Sequence, residues 1–164
     1  MVLQLPEMQN CYFCEIIKRN SDCWNVIEET ELTATLLNGR QFATGQCVVI
    51  PIRHAPTILN LTELEVGAVM VAAKKLANIM MEAFDPDGIL LYQNNGIGSG
   101  QEVPHFHLHV VPKRPDSDWG LGPPHIARLE NEEQDAYRNH ALVTEDKRQT
   151  AEMLRTFFKK HNKN

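Results

Sequence analysis

The sequence predicts an α+β domain: a mainly antiparallel sheet of about five strands, one long crossover helix and a second helix near the C-terminus. Short apolar, β-branched runs bounded by turn residues supply the strands. One segment alone, after Thr62, sustains a 3.6-residue apolar period over several turns. The strands come in groups instead of alternating regularly with helices, which argues against a parallel βαβ sheet. The 164 residues are 43% hydrophobic and 23% charged, enough to bury a core without disulfide help. We expect a single domain over residues 1–164, with its core at about 10–112 and a C-terminal extension over 113–164.

In chain order, Cys14–Arg19 predicts a short helix. Strands follow at Asn25–Glu28, Leu32–Leu37 and Gln46–Pro51, the last lying between Gly45 and Pro51. Thr62 and Glu65 have capping-box spacing. Behind them Leu64, Ala68, Val71, Ala72, Leu76, Ile79 and Met80 trace the apolar stripe of the long helix. The Asp85–Pro86–Asp87–Gly88 turn ends it after Phe84. Ile89–Tyr92 is a strand, Asn94–Gln101 a loop with three glycines, and Val103–Val111 a strand. Prolines and glycines beyond Pro112 mark an irregular stretch. Thr144 caps a final helix over about 144–160, with Glu145 and Asp146 at its positive end and Leu154, Phe157 and Phe158 as its stripe.

Composition narrows the function. The net charge is −5 and no stretch is strongly basic, which argues against binding a nucleic acid polymer by neutralising its backbone. A small phosphorylated ligand remains compatible with one positive pocket. No apolar run approaches the roughly 20 residues that span a bilayer, and the first residues lack the pattern of a signal peptide. The expectation is a cytoplasmic protein with reduced cysteines.

The chemistry concentrates in His105–Phe106–His107–Leu108–His109–Val110–Val111. A strand alternates its side chains, so the three imidazoles share one face, at about 6.6 Å between neighbours, and the apolar residues share the other. A merely polar, solvated sheet face is the plain alternative. The preceding loop, Asn94–Gln101, has glycines whose backbone N–H groups can approach an anion, with Ser99 and Gln101 as further donors. A simple hairpin connection would have a similar composition. Cys11-x-x-Cys14 reads three ways: a metal chelate, a redox pair, or two buried cysteines. Cys23 and Cys47 read as plain.

The run His105–Val111 resembles the His-φ-His-φ-His-φ-φ motif of the histidine triad (HIT) superfamily, where φ is apolar. Gly100–Val103, Val48–His54 and Cys11–Ile17 are also similar to that family, and the resemblance spans about Asn10 to Pro112. Past Lys113 no family pattern is evident. The resemblance implies a HIT-like fold and a nucleotide substrate attacked at its α-phosphorus by His107 through a covalent nucleotidyl intermediate. It implies that His109 hydrogen-bonds the phosphate, and that Asn94, Ser99, Gly100 and Gln101 contact substrate. It further implies a structural Zn²⁺ on Cys11, Cys14, His54 and His105, and a homodimer joined through the long helix and an edge strand.

Some residues depart from the family pattern. Asn38 stands where an acidic residue often meets the ribose, and Asn38–Gly39 could equally be a turn. Gln46 stands where many members carry a histidine. Both are kept as substrate-site candidates. Glu102 replaces a hydroxyl residue and is expected to point away from phosphate. Arg53, Lys113 and Arg114 are candidate phosphate-steering charges. Trp119 and His125 lie in a segment that either closes the pocket, extends a dimer interface or covers the core. Dinucleoside polyphosphates, nucleoside phosphoramidates and adenylylated small molecules all fit the same first step. His109 favours a hydrolase over a transferase, because transferase relatives carry glutamine there. The alternatives are a non-catalytic purine-nucleotide-binding protein and a zinc-stabilised interaction protein.

Overall fold

Two central strands, buried along their whole length, set the architecture: Thr33–Leu37 (β2) and Cys47–Pro51 (β3). A strand with no exposed face must be covered on both sides. The computed structural model, which describes residues 3–20, 23–114 and 147–163, supplies both covers. The remaining strands are Val26–Glu29 (β1), Gly88–Tyr92 (β4) and Leu108–Lys113 (β5). They form one five-stranded sheet in the order β1-β2-β3-β5-β4, with every neighbouring pair antiparallel.

On one face lie the long helix Glu63–Phe84 (α2) and the C-terminal helix Lys147–His161 (α3). Val69, Ala73, Leu76, Ile79 and Met80 of α2 meet Val49, Phe106, Leu108 and Val110, and Ala151, Leu154 and Phe158 of α3 join the same core. The short helix Tyr12–Ile17 (α1) covers the other face, where Phe13 and Ile16 pack on Ala34, Leu36, Val48 and Ile50. Side-chain alternation in β5 thus sends Leu108 and Val110 to the α2 side. His109 is paired in register with Val48 and faces the α1 side.

The helix α2 begins as its sequence dictates: Glu65 N–H donates to Thr62 Oγ1 (3.2 Å), and Thr62 N–H donates back to the Glu65 carboxylate (2.8 Å). Its stripe differs from the sequence reading. Ala72, Leu76, Ile79 and Met80 face the core, but Val69 and Ala73 complete the stripe. Leu64 and Val71 are 70% and 69% exposed and lie outside it. Several apolar residues on a long helix allow two neighbouring stripes, and packing on the sheet chooses one. No helix among the described residues is long and apolar enough to cross a membrane.

Two further expectations are corrected. The last strand does not start at Val103: it starts at Leu108, so His105 and His107 lie in the extended segment before it. That segment is held by Phe106 N–H on the Ala55 carbonyl and by His105 N–H on the Val103 carbonyl instead of by a sheet ladder. A 3₁₀ turn at Ile58–Asn60, not anticipated, links β3 to α2. Thr144, Glu145, Asp146, Trp119 and His125 fall outside the described residues.

Candidate active site and metal centre

Three sequence-distant regions, around α1, β3 and β5, converge on the α1 face of the sheet. The helix α1 brings Cys11, Phe13 and Cys14; the end of β3 brings His54; the segment into β5 brings His105 and His107; β5 brings His109; and the start of β3 brings Gln46.

Cys11, Cys14, His54 and His105 form one cluster, with a donor atom from each lying within 4.8 Å of the others. Sulfur-to-Nδ1 separations are 3.4 Å for Cys11–His105, 3.3 Å for Cys14–His54 and 3.6 Å for Cys14–His105. Zinc bonds of about 2.3 Å to sulfur and about 2.0 Å to nitrogen place S and N ligands of a tetrahedron roughly 3.5 Å apart. His105 Nε2–H donates to the Pro51 carbonyl at 3.0 Å, which turns an unprotonated Nδ1 toward the cluster. Burial pushes the His105 imidazole down to about 4, so it is neutral at pH 7 and able to bind a cation. Burial and the neighbouring Cys11 thiol push Cys14 up to about 11, because two adjacent thiolates need a positive charge between them. These residues fit a divalent soft-ligand metal, and a redox pair would not require the two imidazoles.

The three triad histidines do not form an even row. His105 is fully buried and turned to the cysteines. His107 Nδ1–H donates to the His105 carbonyl at 2.7 Å, leaving Nε2 as the bare nitrogen. Burial holds the His107 pKa below its ordinary value, against the opposing pull of that hydrogen bond and of Glu102. Burial and the neighbouring His107 hold His109 well below its ordinary value too. The Phe13 ring lies between the two centres, 5.6 Å from the His105 ring and 5.3 Å from that of His107. The His107 and His109 rings meet edge to face at 4.9 Å.

The glycine loop is tied largely to itself. Ile97 N–H reaches the Gln4 carbonyl, Gly100 N–H reaches Ile97, and Ser99 and Gln101 N–H both reach the Gly96 carbonyl. Gln101 is buried; its Oε1 accepts from Gly96 N–H (2.7 Å) and its amide donates to Pro56 and Val103 carbonyls. Ser99 Oγ donates to the Gly96 carbonyl and Asn94 Nδ2 to the Gly100 carbonyl. The expectation that this loop offers its N–H groups to an anion is therefore corrected at these positions. Left-handed φ values at Gly96 (78°) and Gly100 (82°) fold the loop tightly enough to satisfy its own amides.

Asn38 donates through Nδ2 to the Arg40 carbonyl (2.6 Å), as a turn residue does. Gln46 is buried behind His109: its Oε1 accepts from Phe42 N–H (3.0 Å), and its Nε2 lies 3.1 Å from His109 Nδ1 and 3.3 Å from Tyr92 Oη. Glu102 is exposed and sits 3.8 Å from Arg40. The candidate steering charges have structural partners: Arg53 pairs with Glu65, Arg114 donates to the Phe84 carbonyl at the end of α2, and Lys113 lies over the Phe42 ring. Sequence reasoning missed Phe13 and Tyr92. Tyr92 stacks on His109 with ring centroids 4.2 Å apart and planes within 6°. Its only trace was a place in β4, and which strand pairs with which is not written locally.

A family model described as the HIT domain matches residues 20–116. An uncharacterised 16.1 kDa HIT-like protein of Mycoplasma pneumoniae is 35% identical over 113 residues, spanning 69% of this chain and 76% of the relative. An adenosine 5′-monophosphoramidase of Schizosaccharomyces pombe is 32% identical over 113 residues, spanning 69% and 80%. A bis(5′-adenosyl)-triphosphatase of Dictyostelium discoideum is 30% identical over 107 residues, spanning 65% and 70%. Among solved structures, that of a zinc-bound histidine triad family protein from Mycobacterium smegmatis shares the fold, with a TM-score of 0.73 at 22% identity over 94% of this chain and 96% of that one.

Proposed function

This chain belongs to the HIT domain family, and from that premise we propose that it is a hydrolase that cleaves a nucleotide at its α-phosphate, with His107 as the nucleophile. The observation that carries the reading is the His107 tautomer: Nδ1–H is held by the His105 carbonyl at 2.7 Å, so the Nε2 lone pair is available for attack. Burial keeps that imidazole neutral where a solvated histidine would be partly protonated. As the Nε2–P bond forms, the bond from phosphorus to the leaving group breaks, and the leaving group takes the electron pair. Water then attacks phosphorus, the P–N bond breaks, its electrons return to Nε2, and the water's protons pass to solvent. His109, adjacent to His107, donates from Nε2 to a phosphate oxygen. Asn94, Ser99 and Gly100 border the leaving group or sugar, whereas Gln101, Gln46 and Asn38 act by holding the surrounding structure.

Zn²⁺ on Cys11, Cys14, His54 and His105 would be structural: it would pin α1 to the segment that carries His107 and stay out of the reaction. The relatives named as a phosphoramidase and a dinucleoside triphosphatase support the substrate class. A cytoplasmic setting suits four cysteines that form no disulfide. Exposed Leu64, Met70 and Val71 on α2, and the place of β4 at the end of the strand order, support a homodimer.

The test is turnover of diadenosine triphosphate and of an adenosine phosphoramidate by wild type and His107→Ala, with products identified. Loss of at least 10³-fold in the variant and a trapped nucleotidyl adduct on wild type are expected. Equal rates in both proteins would refute the assignment. Light scattering at micromolar concentration tests the dimer.

A further inference from the structure

We propose that Gln46 locks His109 as a neutral, Nε2-protonated donor, and that this restricts the reaction to nucleotides whose leaving group departs as an anion. The inference rests on the hydrolase reading above for its chemistry, but the lock itself rests on geometry alone.

The side-chain amide of Gln46 has its orientation dictated by a backbone group. Phe42 N–H, which can only donate, points at one amide atom at 3.0 Å, so that atom is Oε1. The other atom is then the NH₂ group, which also can only donate, and it faces His109 Nδ1 at 3.1 Å and Tyr92 Oη at 3.3 Å. His109 Nδ1 must therefore accept, and the ring proton sits on Nε2. Protonating Nδ1 would set N–H against N–H. Turning the amide over would leave the buried Phe42 N–H facing a donor. Gln46 is 1% exposed, so water does not relieve either conflict.

The plane of the ring is fixed as well, and a half-turn within it would put a C–H where Nδ1 now accepts from Gln46. Tyr92 and His109 are register partners across β4 and β5, and their rings stack with centroids 4.2 Å apart. Among the described residues, the titratable groups facing His109 are Tyr92 from β4 and His107 from the segment before β5; Gln46, just before β3, carries no charge. Burial and His107 both disfavour a positive His109, in the same direction as the amide.

The chemical consequence follows from the leaving group. When His107 displaces a phosphate, polyphosphate, sulfate or carboxylate oxygen, that oxygen keeps the electron pair and leaves as a stable anion. When it displaces an alkylamine, the nitrogen must gain a proton as the P–N bond breaks. An imidazolium could supply it; a neutral imidazole N–H is far too weak an acid and can only hydrogen-bond. Gln46 thus serves as a positioning residue that selects mixed anhydrides of the nucleotide over its alkyl phosphoramidates.

The test combines ¹⁵N-histidine NMR of the full-length protein with kinetics. His109 signals are identified by their loss in His109→Gln. Wild-type His109 is expected to show an unprotonated Nδ1, and wild type is expected to favour diadenosine triphosphate over an alkylamine adenosine phosphoramidate at least tenfold in kcat/KM. In Gln46→Glu the carboxylate accepts from Nδ1. The ring proton should appear there, and the amidate-to-anhydride ratio should rise at least tenfold, with amidate turnover growing toward acid pH. A protonated Nδ1 in wild type, or the same ratio in both proteins, overturns the proposal. The wild-type spectrum and ratio need no variant, so they decide the matter even if Gln46→Glu does not fold. If wild type cleaves neither substrate, the hydrolase reading and the leaving-group restriction fall together, and the spectrum still decides the lock.

Discussion

Replacing Glu65 by Gln tests how the segment after β3, which carries the candidate metal ligand His54, is fixed to the long helix. The Glu65 carboxylate accepts from Arg53 Nε (2.8 Å) and Nη2 (2.7 Å), and from Thr62 N–H (2.8 Å) and Oγ1 (3.0 Å). It thereby caps α2 and anchors the residue next to His54. These donors hold its pKa down to about 2, chiefly through the Arg53 hydrogen bonds. Taken at face value, a fall from 4.5 to about 2 would be worth about 3.5 kcal/mol at ~1.4 kcal/mol per unit. The Arg53 side chain is 53% exposed, so solvent screens the pair, and about 1–2 kcal/mol is the better figure. That corresponds to a Tm loss of about 3–6 °C at pH 7 for a chain of this length. The folded pKa lies below the unfolded one, so the stabilisation is fully present above about pH 4.5 and is lost as pH falls toward 2. Thermal and urea melts of wild type and Glu65→Gln at pH 7, 5 and 3 should therefore show a gap that holds to pH 5 and falls to less than about half by pH 3. An undiminished gap at pH 3, or none at pH 7, would refute the assignment of this carboxylate.

Three other outcomes are expected. Gly45→Ala places a Cβ 2.4 Å from the Phe84 ring at φ +87°, next to Gln46, and should destabilise by about 2–4 kcal/mol in denaturant melts; a loss under about 0.5 kcal/mol would mean that the loop relaxes freely. Leu154→Ala empties a fully buried position where α3 meets the common core and should lose about 2–5 kcal/mol, read by urea unfolding, unless α3 is dispensable to that core. Protein purified without chelator should carry about one zinc per chain by elemental analysis, and chelation should lower Tm by at least about 5 °C. Metal-free protein in which Cys11 and Cys14 both react freely with a thiol reagent would rule the centre out.

Much of the site was legible because its signals are local. Thr62 and Glu65 sit at capping-box spacing and form the box. The Cys11–Cys14 spacing and the histidine run pointed to the candidate ligands and the candidate nucleophile. What was illegible depends on who sits opposite whom. Strand periodicity alone would place His105, His107 and His109 in one row. In the fold only His109 is in a strand, because the Ala55 and Val103 carbonyls, not a sheet neighbour, take the N–H groups upstream of it. The apolar residues of α2 permit more than one stripe, so Leu64 and Val71 were misassigned until the sheet chose the face. The glycine loop was read as an anion cradle because composition reports which amides exist, not which are already bonded.

For the histidines themselves the division is sharp. The sequence by itself determined the residue types: three alternating imidazoles, a Cys-x-x-Cys pair and a glycine loop, whose union in one site came from the resemblance to the HIT family, as did the expectation of a histidine where Gln46 stands. Only the tertiary structure decided what each imidazole can do. The proton on an imidazole goes to whichever nitrogen faces an acceptor. The acceptors are the Pro51 carbonyl for His105 and the His105 carbonyl for His107; at His109 the Gln46 amide donates to Nδ1 and leaves the proton on Nε2. Of these three partners, Pro51 ends β3 and Gln46 immediately precedes it, and antiparallel pairing brings that strand alongside β5, a contact that no local pattern in the chain encodes.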